Sequence, residues 1–494
     1  MTRCPSHRNR RGTVLIVAMI VSFALAATVL VLCRTMRVEA AASANLAAAA
    51  QASAIAHGAE QYVIGLITEE GERVRDLGEE NFAAVRIGDG LFWIMRPDYD
   101  DDQLPLFGLV EESAKVNCGR DSNNLYNKLI RLPGMTDVAA ASILDWVDAD
   151  TEVEQDGAEM DFYLNHPSKC EPYYPKDGPL ETVEELLLIR GVDRVMLYGD
   201  GTAPPLGQRA GTGMSGMAAS SSGGNAGGAY TDRQLARGIY DLLTVYSRQN
   251  NTTADGQQRI RIGDSARAIS QDGDINNNAM RTRLQTRLES RLSQSRAQAI
   301  VSAIGQTDMN DIFEFYRRAK SGAQLTEQEF DLIYDDLSTT AATSVRGLIN
   351  VNSAPRAVLM CLDGIDEADV DKLLARRRTI DTSAEANSGL GWVAETLTPE
   401  RAANAKLGSQ LTTRTSQWSA DILAVSGNGR AFKRVRIVVD NRDGTPVIVY
   451  RRDLTNRGWP MDKSILQQLR AGQLAGQPSP FSIASQGQMS GGRS

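Results

Sequence analysis

Apolar positions run without interruption in one part of the chain. From Val14 to Cys33 about twenty residues pass without a charge, and at ~1.5 Å per residue such a helix crosses a hydrocarbon core of roughly 30 Å. Arg34 and Arg37 then lead into an alanine-rich stretch that reaches His57 without Gly or Pro, followed by Tyr62, Val63 and Leu66. Alanine is the best helix former, so the pattern predicts one helix continuing from a membrane span into a soluble stem over residues 13–70. Arg3, Arg8, Arg10 and Arg11 precede the run with no acid among them, which sets the N-terminus on the cytoplasmic side. A cleavable signal has a shorter apolar region; "ALAA" at Ala24–Ala27 nevertheless leaves a signal-peptidase reading open.

Candidate strands lie at both ends of the soluble part, and the late ones alternate polar and apolar residues. Leu91–Pro97 and Leu106–Asn117 read as early strands, and Ser416–Ser426, Ala431–Gly444 and Thr445–Asp453 as late ones, with turns at Gly427-Asn428-Gly429 and Asp443-Gly444. Neither group suffices for a sheet of its own. The expectation is an α+β fold: residues 71–117 and 411–460 form one small antiparallel sheet on the stem helix, and residues 118–410 are inserted into it. Residues 461–494 are expected to be a flexible tail.

The insertion reads as mainly helical and echoes itself. Ala114–Asp150 parallels Gly347–Arg378: an Asn-bearing entry, a helix ending in Leu, a one-glycine turn, an acidic or Thr cap, and a second helix. Val183–Gly199 has the same helix–Gly–helix outline. These units resemble helix-hairpin-helix motifs, which can offer backbone amides to DNA phosphates. "PGMT", "RGVD" and "DGID" each carry one glycine followed by Thr or Asp, and an acid there repels phosphate, so a structural role is favoured. Residues 199–232 are rich in Gly and Ser and predict a disordered loop. Arg281–Arg318 predicts a solvated amphipathic helix.

Composition narrows the chemistry. The chain has 494 residues, is 42% hydrophobic and carries a net charge of −8, which argues against a nucleic-acid binder held by its overall field. Three histidines leave little for a Ser-His-Asp hydrolase or a His-rich metal site. No catalytic constellation and no phosphate-binding fingerprint is readable, so no enzyme and no organic cofactor are expected. Of five cysteines, Cys118, Cys170 and Cys361 lie in the soluble part. A Cys118–Cys170 bridge suits an oxidising compartment, and the odd thiol leaves the pairing open. Acids supply the best candidate chemistry. Asp145 and Asp148 share a helix face, and with Asp150, Glu159 and Asp161 they offer carboxylates that can converge on calcium, which takes 6–8 oxygens; solvated helix caps are the equal alternative. Asp272–Asn278 mimics an EF-hand start but lacks its later glycine and glutamate, and Asp98–Gln103 reads as an exposed acidic loop.

Two resemblances follow from these residues. "Arg10-Arg11-Gly12" set directly against the apolar run resembles the leader of type IV pilins and pseudopilins. That resemblance implies cleavage by a prepilin peptidase between Gly12 and Thr13, with residues 1–12 a cytoplasmic leader. The ordered set "RGTVLIVAMIV", "EESAKVN…SILDWVDAD…GAEMDFY", "ETVEELLLIRGV" and "LINVNSAPRAVLM…ARRR", leading to "LTTRTSQWSADILAV", resembles the K component of the type II (general) secretion pathway, a family of large minor pseudopilins. It implies a pilin-like domain with a helical insertion, anchored in the bacterial inner membrane with its soluble part in the periplasm. Implied partners are I- and J-type minor pseudopilins, the inner-membrane assembly platform and the prepilin peptidase. The implied role is to cap a periplasmic pseudopilus and prime its assembly for export of folded proteins; calcium at Asp145, Asp148, Asp150, Glu159 and Asp161 is implied as well. Val17 stands at the fifth mature position, where most pilins carry glutamate, and tip subunits lack it. Residues 199–346 depart from the family pattern. Outside this family, a minor pilin of a type IV pilus, a membrane-anchored periplasmic enzyme and a DNA receptor remain the alternatives.

Overall fold

The computed structural model describes residues 11–97, 107–120, 124–165, 171–200, 236–262, 277–305, 309–380 and 389–472. Helix α1, Arg11–Glu70, is unbroken over 60 residues, ~90 Å at 1.5 Å per residue. An 18-residue window in it has mean hydropathy 2.9 and is not buried, so it is long and apolar enough to cross a membrane. Burial begins near Ala48 and follows helical spacing through Ala52, Ile55, Ala59, Val63 and Ile67. The alanines let the backbone approach the sheet closely. Gly90 serves the same approach: a Cβ there would lie 2.1 Å from Ile55 Cδ1.

The sheet that α1 covers draws on both ends of the soluble chain. Its strands are β1 Val85–Ile87, β2 Gly90–Met95, β12 Gln417–Val425, β13 Phe432–Asp440 and β14 Val447–Asp453, in the order β1-β2-β12-β13-β14. All neighbours are antiparallel, with Trp93 opposite Leu423 and Ala420 opposite Ile437. β2 is buried on both faces. Phe92 meets Tyr62 of α1 at 5.4 Å between ring centroids, while Trp93 meets Trp459 at 6.5 Å. That two-sided burial accounts for its unbroken apolar run.

Leu106–Asn117, expected as one strand, is instead three short pieces, and Leu106 lies outside the described residues. β3, Val110–Glu111, pairs with β12; a 3-10 turn follows at Glu112–Ala114; β4, Val116–Asn117, then leaves the sheet. The chain passes here from one hydrophobic core to another.

The second core belongs to the insertion. Three parallel ladders, each two residues long, close its helical segments. β4 pairs with β5, Leu243–Thr244; β7, Ile260–Arg261, with β8, Leu337–Ser338; β10, Ile349–Asn350, with β11, Leu411–Thr412. Each ladder sets an apolar residue beside a polar one. Thr244, Ser338 and Thr412 each accept the N–H two residues on, from Tyr246, Thr340 and Arg414, at 2.9, 3.2 and 3.1 Å. A further ladder joins β6, Arg248–Asn250, to β9, Ser344–Arg346, antiparallel. Between β4 and β5 run α2 Leu125–Leu129, α3 Asp137–Val147, α4 Met160–Asn165 and α5 Arg194–Tyr198. Between β7 and β8 run α6 Asn277–Arg291, α7 Gln294–Ile304, α8 Ile312–Ala323 and α9 Glu327–Tyr334. Between β10 and β11 run α10 Arg356–Leu359, α11 Glu367–Arg377, α12 Gly391–Leu397 and α13 Pro399–Asn404.

Polar side chains stitch the two cores together. Asp421 of β12 accepts from Arg434 and Arg436, and Arg436 reaches on to Asp241 at 2.8 Å. Glu184 takes the hydroxyls of Tyr240 at 2.6 Å and Tyr450 at 2.8 Å and pairs with Arg452. These bonds hold the carboxyls of Asp421 and Glu184 below the usual carboxylate range despite burial.

Two further expectations change. Arg281–Arg318 is not one solvated helix but parts of α6, α7 and α8, broken where Ser293 caps α7 by accepting from Arg296 N. Leu284 and Leu288 of α6 are fully buried, and Arg287 and Arg291 are held by buried Asp336. The tail expected from 461 begins with a docked helix, α14 Lys463–Arg470, capped by Asp462, with Ile465 and Leu469 buried on the sheet's core. Their four-residue spacing is the signal that was missed; residues beyond 472 lie outside the described residues.

Candidate metal centre

The turn before α3 sets the acids in place. Gly134 takes φ +72°, open to glycine, and Thr136 caps α3 by accepting from Ala139 N at 3.2 Å. The matching turns use Gly191 and Gly364, at φ +81° and +80°, with Asp193 and Asp366 as caps accepting from Met196 N and Asp369 N. The turn acids thus have a local task, holding helix N-termini.

Asp145 is fully buried in the last turn of α3. Its Oδ1 accepts from Glu154 N at 3.1 Å, so the following loop folds back over it. Gly157 makes that closure possible: a Cβ there would lie 2.1 Å from Asp145 Oδ2. Arg190, whose guanidinium lies 4.8 Å from the Phe162 ring centroid, fastens the loop by donating to Gly157 O at 2.7 Å. Asp148 ends α3, its N–H bonded to Leu144 O. Asp150 turns the chain by accepting from Glu152 N at 2.9 Å.

The loop delivers Glu159 back toward the end of α3. One carboxylate oxygen from each of Asp148, Asp150 and Glu159 lies within 4.8 Å of the other two. Glu159 is 5% exposed, and neither of its oxygens has a hydrogen-bond partner. Burial first, then repulsion from Asp177, Asp145 and Asp148, pushes its carboxyl up to about 7. An unpaired buried carboxylate among like charges is costly, and a hard cation with oxygen ligands relieves that cost. These donors fit calcium.

Of the five acids taken from the sequence, the structure gathers Asp148, Asp150 and Glu159. Asp145 lies beside them as the anchor of the loop. Asp161 is exposed in the first turn of α4, outside the cluster. Asp177, at φ +45° in the turn before Gly178, is the acid that sequence reasoning missed; its Asp-Gly pair was the available signal.

Cys118 is buried, donates to Thr244 O at 3.6 Å and has its thiol pushed up to about 12 by burial. Its proposed partner Cys170 lies outside the described residues, as do Asp98–Gln103, most of the 199–232 loop and residues 1–10 of the leader; of Asp272–Asn278 only Asn277 and Asn278 are described. Gly12 and Thr13 fall in the first turn of α1.

Comparison with known proteins bears on the same stretch. Residues 108–198 match the family model for the type II secretion system (T2SS), protein K. No curated protein matches the chain. Among solved structures, the chain is similar to one in the crystal structure of the GspK-GspI-GspJ complex from the enterotoxigenic Escherichia coli Type 2 Secretion System. The identity is 9% and the TM-score 0.39, over 82% of this chain and 95% of that one.

Proposed function

We propose that this chain is a minor pseudopilin of the protein K type, capping a periplasmic pseudopilus and priming its assembly for export of folded proteins. The observation that carries the reading is the protein K match over residues 108–198, which begins just before β3 of the sheet and runs on into the helical insertion.

In this reading α1 anchors the chain in the inner membrane after cleavage between Gly12 and Thr13, and residues 13–70 serve as span and stem. The sheet from 71–117 and 411–460 is the pilin-like part, and residues 118–410 are the cap. I- and J-type minor pseudopilins pack below it on the assembly platform. A bulky insertion blocks stacking of a further subunit above. Val17 fits a terminal place, since a glutamate in the bilayer with no neighbour to pair it is costly. The role is structural and calls for no catalytic residue. Calcium held by Asp148, Asp150 and Glu159 ties the end of α3 to the start of α4 and so stiffens the cap.

The intact mass of the membrane-bound protein, with and without a co-expressed prepilin peptidase, tests the reading. A product beginning at Thr13 only when the peptidase is present supports it. A product that keeps Met1, or one cut beyond Ala27, overturns it.

A further inference from the structure

Asn117 gathers three segments that are far apart in sequence. Its side-chain oxygen accepts from Gly119 N at 3.0 Å, and its side-chain nitrogen donates to Ser247 O at 2.9 Å. Gly347 donates to the same Ser247 carbonyl at 3.3 Å and lies so close that a Cβ on it would sit 3.4 Å from Asn117 Cβ. Each of these three residues adjoins an arginine: Arg120, Arg248 and Arg346. Arg248 and Arg346 are direct partners across the β6–β9 ladder. Two residues along β6, Asn250 donates to Arg442 O at 3.1 Å and brings in a fourth arginine.

Like charges set directly across a ladder destabilise it. Several other arginines are matched with acids, as at Asp421, Asp336 and Asp369. Arg120, Arg248 and Arg346 meet no carboxylate among the described residues, Arg248 donating from Nε to Ser344 Oγ at 2.8 Å instead, while Arg442 is held by Asp440 with Asp443 near it. The crowding is felt: burial, then Arg248, Arg120 and Arg442, hold the Arg346 guanidinium below its ordinary range. The bordering cavity, lined by Arg248 and Gln249, holds about 10 Å³, room for one water. A small anion cannot be enclosed there. A ligand must meet the arginines at the surface and offer more than one anionic group.

We propose that Arg120, Arg248 and Arg346 form a docking surface for an acidic segment of a partner protein, whose carboxylates are taken up by the guanidinium groups. The proposal stands apart from the protein K reading. The chain's net charge of −8 means that the local cluster and not the overall field recognises the segment, so binding weakens steeply with salt.

The test uses the full chain in detergent micelles and a fluorescein-labelled hexaglutamate peptide, read by anisotropy. The double variant Arg248→Gln/Arg346→Gln is expected to weaken binding at least tenfold, and Arg120→Gln, outside the ladder, at least threefold. Arg86→Gln, exposed on β1, is the control and leaves binding unchanged. The double variant relieves repulsion across the ladder but also loses the bond from Arg248 Nε to Ser344 Oγ, so its melting temperature is measured alongside to confirm that binding is read on folded protein. Equal binding by wild type and Arg120→Gln, or by wild type and the folded double variant, would overturn the proposal. Saturation by inorganic phosphate alone with the same arginine dependence would overturn it in favour of a small-anion site.

Discussion

Arg451 on the outer strand β14 donates from Nε to Glu60 Oε1 of α1 at 2.9 Å, tying the edge of the sheet to the stem. Glu60's other oxygen lies 3.3 Å from His57 Nδ1. The pair is lopsided: the Glu60 side chain is 3% exposed and that of Arg451 48%. Removing the arginine leaves a buried carboxylate nearly alone, whereas removing the glutamate leaves a guanidinium half in water. Arg451→Ala should therefore cost about 3 kcal/mol and Glu60→Ala about 1 kcal/mol. Urea unfolding of both variants measures the difference, and equal losses would refute the assignment of Arg451 as the partner that neutralises Glu60.

Asp331 of α9 sets a slope of stability with pH. It is 5% exposed, accepts from Gly391 N at 2.7 Å, and is pushed up to about 7 by burial and by Glu327. The native state holds this proton to about pH 7, while the unfolded chain releases it near 3.8. Between those values the native state binds more protons, so stability falls as pH rises. Asp311, pushed up to about 6, acts in the same direction. Asp331→Asn keeps the acceptor for Gly391 and should flatten the slope between pH 4 and 7 and raise the melting temperature at pH 8. An unchanged slope in the variant would show that Asp331 titrates normally.

The acidic cluster predicts a metal-dependent stability that only some of the acids support. At a hundredfold excess of free calcium over its dissociation constant, binding to the native state adds about 2.7 kcal/mol. Calcium should raise the melting temperature of the chelator-treated protein. Glu159→Gln should remove the effect, and Asp161→Asn should leave it intact, because Asp161 points to solvent outside the cluster. A loss in both variants, or in neither, would contradict the placement of the three ligands.

What the sequence made legible follows the range of each signal. α1 and the late strands were readable because long periodic runs report burial directly: Gln417–Val425 and Phe432–Asp440 fall inside the stretches chosen for them. The echo between Ala114–Asp150 and Gly347–Arg378 was readable as well, through the turn glycines and their caps. The ladders that close those units were not. Val116–Asn117 and Leu243–Thr244 are two residues each, too short for any period, and their pairing spans over a hundred residues of chain. At the acidic site, Asp148 and Asp150 followed from their place at a helix end. The role of Asp145 did not, since it depends on Gly157 admitting the loop against its carboxylate. The Asp177-Gly178 pair marked a turn, but only tertiary folding brings Asp177 near Glu159.

Gly199 and Gly238, on either side of residues 201–235, lie against each other at the insertion's core. A Cβ on Gly199 would lie 1.9 Å from Ala236 O, and one on Gly238 would lie 2.4 Å from Gly199 N. Both glycines have positive φ, +79° and +69°. Just beyond them the Tyr198 and Tyr240 rings meet at 5.2 Å, and the Arg457 guanidinium lies 3.9 Å from the Tyr198 ring centroid. The exit and re-entry are thus fixed by contacts that owe nothing to residues 201–235. Replacing those residues with a link of about four should keep the fold. For a segment as rich in Gly and Ser as this one, the shorter loop should also stabilise the protein by about 2 kcal/mol through chain entropy. Gly199→Ala should do the opposite, costing about 1–3 kcal/mol, because it adds strain at positive φ to a direct clash. Denaturant midpoints decide both. An excised chain that unfolds earlier than the parent would mean that residues 201–235 contribute native contacts and that the glycine pinch is not what closes this part of the fold.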